Sequence, residues 1–318
     1  MDYRLLGRTG LTVSRLCFGT LTMGPLQSNL PLAEGAALLE EAYDYGINFW
    51  DTAEHYRNYD YLRLALKKLQ TLPVIATKSY AYDREGARAS LEKARREMDI
   101  DIVPLFLLHE QESALTLKGH QEALDFFLEA KAKGLIKAVG LSTHTIAAVR
   151  AAADWEGIDV LHAIVNYRGI GIKDGTIEEM LAALARAYQN GLGIYGMKAL
   201  GGGHLIATAE KAFDFVLNRP ELHSFAVGIS SPEELLVNLH YLRGTKPPPE
   251  TAQRLARKKR RLEIEEWCIG CGACVENCPQ GALHLEEAEP PRAVVDASRC
   301  ILCGYCGAYC PEFCIKIF

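Results

Sequence analysis

Nine of the chain's ten cysteines fall between Trp267 and Phe318, and their spacing limits what this end can fold into. Cys268-x-x-Cys271-x-x-Cys274-x-x-x-Cys278-Pro279 is followed by Cys300-x-x-Cys303-x-x-Cys306-x-x-x-Cys310-Pro311. This is the run that ligates 4Fe–4S clusters, written twice. Two-residue gaps in a tight turn let three thiolates converge on one face of the cubane. The cysteine before proline leaves that turn and, in two-cluster proteins, ligates the other cluster. The expected sets are Cys268, Cys271, Cys274 and Cys310 for one cluster, and Cys300, Cys303, Cys306 and Cys278 for the other. Disulfides would need an oxidising compartment. Zinc sites usually set two Cys-x-x-Cys pairs farther apart, with no third cysteine and no following proline. Repetition at one spacing weighs against both.

A chain of 318 residues is long enough for one large domain plus a small one, or for two medium domains. A net charge of −5 argues against general binding to nucleic acid or to an anionic membrane surface. No apolar run approaches the roughly 20 residues of a membrane span. Met1-Asp2-Tyr3-Arg4 has neither the basic nor the apolar region of a signal peptide. With reduced, iron-binding thiols, the expectation is a cytoplasmic protein. Cys17, in an apolar stretch, reads as buried core, and Cys314 as packing in the final strand.

Residues 2–14 read as a hairpin turning through Gly7 and Gly10. Strand-like runs then recur at Leu16–Phe18, Asn48–Trp50, Val74–Ala76, Ile102–Leu108, Ile136–Leu141, Val160–Val165, Leu192–Met197 and Phe225–Val227. Segments of helical period lie between them: Leu32–Tyr45, Asp60–Leu69, Glu85–Met98, Gln121–Lys133, Thr145–Ala152, Ile177–Tyr188, Ala207–Asn218 and Pro232–Leu242. Eight strand–helix repeats imply an α/β fold with a parallel sheet, and eight strands close a (β/α)8 TIM barrel. A doubly wound sheet is the alternative. It would want a Gly-x-Gly-x-x-Gly turn, which Gly19-Thr20-Leu21-Thr22-Met23-Gly24 does not supply. Pro247-Pro248-Pro249 ends the pattern. The expected layout is a barrel over 1–245, a proline-rich and basic helical linker over 246–264, and a small α+β ferredoxin-like domain over 265–318. The linker helix, Glu250–Arg261, presents either a solvated face or a contact for an acidic redox partner.

Catalytic residues of a barrel sit where its strands end. Asp51-Thr52-Ala53-Glu54-His55-Tyr56 follows the second strand, Lys78 ends the third, and Leu107-Leu108-His109 ends the fourth. Taken singly, each of these is more often structural. Together, Asp51, Tyr56, Lys78 and His109 bring a carboxylate, a phenol, an ammonium and an imidazole to one mouth. Glu54 and His55 read as packing or rim.

The segment Gly46-Ile47-Asn48-Phe49-Trp50-Asp51-Thr52-Ala53-Glu54-His55-Tyr56 resembles the signature of the aldo-keto reductases. So do Arg4–Ser14, Ala76-Thr77-Lys78, Leu107-Leu108-His109 and Ala138-Val139-Gly140-Leu141-Ser142, in the family's order over residues 3 to 240. The tail is similar to bacterial two-cluster ferredoxins. The resemblance implies carbonyl–alcohol interconversion by hydride transfer with NAD(P)H. Tyr56 would be the general acid, Lys78 would stabilise its phenolate, Asp51 would orient Lys78, and His109 would set the angle of the substrate oxygen. It implies cofactor contacts at Gly19 and Thr20, and at Ser142 with Thr143 where asparagine is common. Further along they fall at His162 in place of glutamine, at Met197 in place of a stacking aromatic, and at Lys198, Leu200 and Gly201. At the adenine end they are Gly228, Ser230, Ser231, Glu234 and Asn238, without the lysine and arginine that usually hold a 2′-phosphate.

A nicotinamide moves electrons in pairs and a cluster normally moves one, so coupling the two is not simple. A flavin would solve this and stands as the alternative cofactor. The competing reading from another class is an electron-transfer or redox-sensing module whose barrel is only a docking scaffold. The expected partners are a small carbonyl or alcohol compound and a redox protein at the ferredoxin domain or the basic linker.

Overall fold

The computed structural model describes residues 1–318. The hairpin comes first, β1 (Tyr3–Leu5) antiparallel to β2 (Thr12–Ser14). Its turn lies against the chain so closely that a β-carbon on Gly7 would sit 2.2 Å from the Gly193 nitrogen. Leu6, Leu11 and Val13 thereby plug the end at which the barrel strands begin.

Eight parallel strands follow: β3 (Leu16–Gly19), β4 (Phe49–Asp51), β5 (Val74–Ser79), β6 (Val103–Leu108), β7 (Ile136–Thr143), β8 (Val160–Ile164), β9 (Gly193–Met197) and β10 (Ser224–Gly228). Each pairs with the next, and β10 returns to β3 with Gly228 opposite Gly19, so the barrel is closed. Around it run α1 (Leu32–Asp44), α2 (Tyr59–Leu66), α3 (Arg84–Met98), α4 (Ala114–Gly119), α5 (Gln121–Ala132), α6 (Ile146–Ala153), α7 (Ile177–Gln189), α8 (Ala209–Leu217) and α9 (Pro232–Leu242). The strand and helix limits read from the sequence agree with these to within three residues. One difference is α4. It lies outside the helical segments read from the sequence, and Ser113 accepts from the Thr116 nitrogen and the Thr116 hydroxyl from the Ser113 nitrogen, a capping box that holds a short helix.

Between strands and helices lies a core of 57 buried residues. Inside the barrel, a second set includes Cys17, Phe49, Ala76, Leu107, Val160, Tyr195 and Ala226. These inner residues fix the register of everything at the mouth, because side chains two positions on point the same way.

After the prolines, α10 (Pro249–Arg257) lies along α9 and its chain leads into β11 (Leu262–Ile264). Then come α11 (Ala273–Glu276), the hairpin β12 (Leu283–Glu286) and β13 (Arg292–Val295), α12 (Tyr305–Ala308) and β14 (Ile315–Ile317). β14 pairs antiparallel with β11. This unit docks at the mouth of the barrel. Phe313 inserts among Ile170, Leu205 and Ala212. A His204 ring nitrogen lies 2.9 Å from the Ile315 carbonyl oxygen. Gly203, at φ +97, approaches the Ile317 carbonyl so closely that a β-carbon there would lie 2.0 Å from its oxygen. No helix is long and apolar enough to cross a membrane.

Candidate active site and cluster-binding domain

Stepping two residues on from the inner core reaches the site: Cys17 to Gly19, Phe49 to Asp51, Ala76 to Lys78, Leu107 to His109, Val160 to His162, Tyr195 to Met197 and Ala226 to Gly228. All seven face one cleft, of about 1390 Å³ with its open mouth included. The strand period thus converts a packed barrel interior into a polar floor.

Asp51 is 4 % exposed and sits at the centre of that floor. Lys78 Nζ lies 2.7 Å from its Oδ1 and also donates to the Thr52 carbonyl at 2.8 Å. The Tyr195 hydroxyl donates to Oδ2 at 2.8 Å, and His162 Nε2 stands 3.7 Å from the same oxygen. The His162 ring stacks on Tyr195 with centroids 3.9 Å apart. A buried ion pair is costly unless its remaining valences are met, and here both partners have further hydrogen bonds.

Tyr56, at the end of the single turn Glu54–Tyr56, faces this pair with its ring centroid 4.9 Å from Lys78 Nζ. Burial pushes its phenol well up, and the Asp51 and Glu110 carboxylates push it further. The Lys78 ammonium stands over the ring while paired with Asp51. Tyr56 is therefore protonated at neutral pH, the state a proton donor needs. His109 is held neutral, first by burial and then by the nearby Lys78 charge. It stacks on Tyr80 at 4.3 Å, and its Nδ1 is buried without a hydrogen-bond partner. Burial pushes His162 down to about 4, although Asp51 pulls the other way.

Of the expected cofactor residues, Gly19, Ser142, His162, Met197, Lys198, Leu200, Gly228, Glu234 and Asn238 line the cleft. Thr20, Thr143, Gly201, Ser230 and Ser231 do not. The Thr20 hydroxyl donates to the Asp51 carbonyl at 2.9 Å, and Thr143 accepts from the Thr145 nitrogen at 2.9 Å. Gly201 makes the left-handed turn after β9, Ser231 caps α9, and Ser230 donates to Glu234 at 3.0 Å. Glu54 accepts from Ser90 and pairs with Lys93, and His55 packs on Tyr80, so both are rim residues.

Sequence reasoning missed several groups. Tyr195 gave no local signal beyond its strand parity. Lys258, from the linker, reaches the start of α9 and bonds Ser230 Oγ at 2.6 Å and Glu234 Oε1 at 2.7 Å. A cation therefore stands where β10 and α9 alone supply none. The far wall of the cleft belongs to the other domain: Lys316, Ile317 and Phe318 line it, with Leu255 and Arg260 of the linker.

In the C-terminal domain no three cysteine, histidine or carboxylate side chains close on a single ion. The thiols border two larger cavities, each about 320 Å³ with open space included. Cys268, Cys271, Cys274 and Cys310 line one, joined by Cys314, and Cys278, Cys300, Cys303 and Cys306 line the other. Left-handed Gly272 and Gly304 turn the chain inside each run. Two cavities walled by thiols suit two clusters better than two ions.

The comparisons agree with this geometry. Residues 15–214 match the model of the aldo/keto reductase family, and residues 267–314 that of the 4Fe-4S dicluster domain. The L-galactose dehydrogenase of Arabidopsis thaliana is 26 % identical over 218 residues, 64 % of this chain and 67 % of that protein. A component of the ion-translocating oxidoreductase complex of Methanosarcina acetivorans is 40 % identical over 60 residues, 19 % of this chain and 22 % of that one. The holo form of an aldo-keto reductase from Bacillus halodurans superposes with a TM-score of 0.65 at 19 % identity, over 81 % of this chain and 96 % of that one, which bears on the fold alone. The chain belongs to the aldo/keto reductase family of oxidoreductases and carries a 4Fe-4S dicluster domain at its C-terminal end.

Proposed function

We propose that this protein interconverts a carbonyl and an alcohol at the Asp51–Lys78–Tyr56–His109 floor, and that two 4Fe–4S clusters couple this site to a redox partner. The observation that carries the reading is the buried Asp51–Lys78 pair facing a protonated phenol and a neutral imidazole in one cleft. A nicotinamide dinucleotide bound along the cleft would supply hydride to the carbonyl carbon. Tyr56 delivers the proton to the carbonyl oxygen. The unpartnered His109 edge accepts or donates to that oxygen and fixes its direction. Lys78, held by Asp51, lowers the cost of negative charge as the phenol gives up its proton.

Gly19, Ser142, Met197, Leu200 and Gly228 would hold the dinucleotide along the cleft, with Glu234, Asn238 and the linker's Lys258 toward its adenosine end. Cys268, Cys271, Cys274 and Cys310 hold one cluster, and Cys300, Cys303, Cys306 and Cys278 the other; the two thiol-lined cavities support this partition. The clusters, when present, exchange electrons singly. A flavin in the same cleft is the second reading, supported by Met197 standing where a ring would stack on nicotinamide. We place the protein in the cytoplasm, in keeping with its thiols.

The test is anaerobic turnover of a panel of aldehydes and ketones with NADH, NADPH and reduced flavin. Tyr56→Phe is expected to lower kcat/KM about 10²- to 10⁴-fold. Full turnover by that variant, with clusters intact, would show that the barrel is a scaffold or uses another donor.

A further inference from the structure

Lys198 and Lys316 come from different domains and meet at the wall of the cleft. Lys198 follows β9 in a left-handed conformation, φ +59, and Lys316 lies in β14, 4 % exposed. Both ammonium groups face the Phe313 ring, at 5.4 Å and 3.3 Å from its centroid. No carboxylate oxygen lies within 4.0 Å of either. Lys316 Nζ donates only to the Phe313 carbonyl, and Lys198 has no hydrogen-bond partner. Glu265 acts on both, Glu110 and Asp51 on Lys198, and the Cys310 and Cys314 sulfurs on Lys316, all without pairing. Burial lowers both ammonium groups from the usual lysine range, helped at Lys316 by the Lys198 charge and at Lys198 by Lys78.

His144 joins them. It follows β7, its ring centroid lies 6.0 Å from that of Phe313, and its Nε2 is buried with no partner. Its Nδ1 stands 3.8 Å from Glu110 Oε1. It lines the same cleft as both lysines. Burial, then Lys198 and Lys316, keep it neutral. Two adjacent, unpaired ammonium groups and an unsatisfied ring nitrogen are unfavourable in a largely desolvated wall unless an anion meets them.

We propose that Lys198, Lys316 and His144 form an oxyanion subsite for the substrate, so that the carbonyl compound handled at Tyr56 carries a carboxylate or phosphate group. The inference rests on the function proposed above. Lys316 makes the subsite composite: it is complete only when the cluster domain is docked. The subsite adds no chemical step; it orients the carbonyl toward the Tyr56–His109 floor through its charged end.

The experiment uses the cluster-loaded full chain under anaerobic conditions and two matched panels. One pairs 2-oxo carboxylates with their methyl esters, and the other pairs glyceraldehyde 3-phosphate with glyceraldehyde. At least one pair is expected to show a charged-over-uncharged preference in kcat/KM of about 100-fold, falling about tenfold or more in Lys198→Met and in Lys316→Met. No preference in either pair, or one that both variants retain, overturns the proposal. If no compound is turned over, the proposed reaction fails and binding alone decides the subsite. Calorimetric titration with oxalate and with inorganic phosphate should then show saturable binding weakened about tenfold in each variant. Absence of saturable binding, or equal binding in the variants, overturns it. A loss of NADPH affinity in Lys316→Met as large as its loss of charge preference would assign the anion to the dinucleotide's phosphates and also overturn it. Should Lys316→Met lose its cluster absorbance, Lys198→Met, on the barrel, decides.

Discussion

In the barrel, Asp51 is fixed by Lys78, Tyr195 and the Thr20-bonded backbone, and 57 buried residues pack the strands against their helices. In the C-terminal domain the buried cluster numbers nine, and Cys274, Cys306 and Cys314 are among them. The two regions therefore hold their working groups in different ways. The barrel positions its site with protein alone, while the smaller domain arranges loops around thiols and leaves them to be tied by what they bind. About 50 residues with so little core fall below what usually folds unaided.

The largest expected effect follows from that contrast. Removing iron with a chelator under anaerobic conditions should unfold the C-terminal domain and leave the barrel folded. Hydrogen exchange would read this directly: amides of β12 and β13 should lose protection completely, while those of β5 and β6 keep it. Protected β12 and β13 amides in the iron-free protein would break the comparison, since the domain would then stand on its own packing.

A second test separates docking from folding. Gly203→Ala places a β-carbon 2.0 Å from the Ile317 carbonyl oxygen on a backbone at φ +97. The strain and the clash together amount to roughly 1–3 kcal/mol or more. They fall on the domain contact, because Gly203 lies beyond β9 and outside the barrel core. The expected outcome is faster proteolytic cleavage in the stretch 246–261 with an unchanged barrel melting curve. Unchanged cleavage would mean that the interface yields at Ile317 without opening.

The same contrast explains what the sequence disclosed. Cysteine spacing is a local signal, because each three-cysteine run spans seven residues of one loop and short helix, and the grouping of the thiols around two cavities is legible from it. The barrel was legible from its strand–helix alternation, and Asp51, Lys78 and His109 from their place at the end of a strand. Tyr195 was not, since its partner Asp51 lies 144 residues away and nothing near β9 marks it. Lys258, Lys316 and Phe318 were invisible as site residues for a different reason. Their role depends on how one domain sits on another, and that contact is made by Phe313, His204 and Gly203, which carry no shared pattern. Ser231 and Thr143 show the converse: residues in the right motif whose side chains are spent on a helix cap and a turn.

The smallest effect tests whether the barrel's independence has a limit of its own. His162 is buried and neutral, pushed down to about 4 by burial, with Asp51 opposing. An unfolded chain takes up that proton near pH 6.5, and the folded one only near pH 4. Below pH 6.5 the unfolded state therefore binds more protons, and stability falls as the pH drops. The full contribution is about 3 kcal/mol, of which about 2 kcal/mol is lost by pH 5. His109 and His144, also held neutral, add to the loss with the same sign. Urea unfolding followed by the far-ultraviolet signal of the barrel helices, at pH 7.5 and pH 5, reads the difference. His162→Gln, which can still accept from or donate to its neighbours without titrating, should flatten the dependence by about the His162 share. An equal slope in that variant would mean that the acid weakness lies outside the Asp51 floor, and that the barrel's site is held less tightly by its own charges than Lys78 and Tyr195 imply.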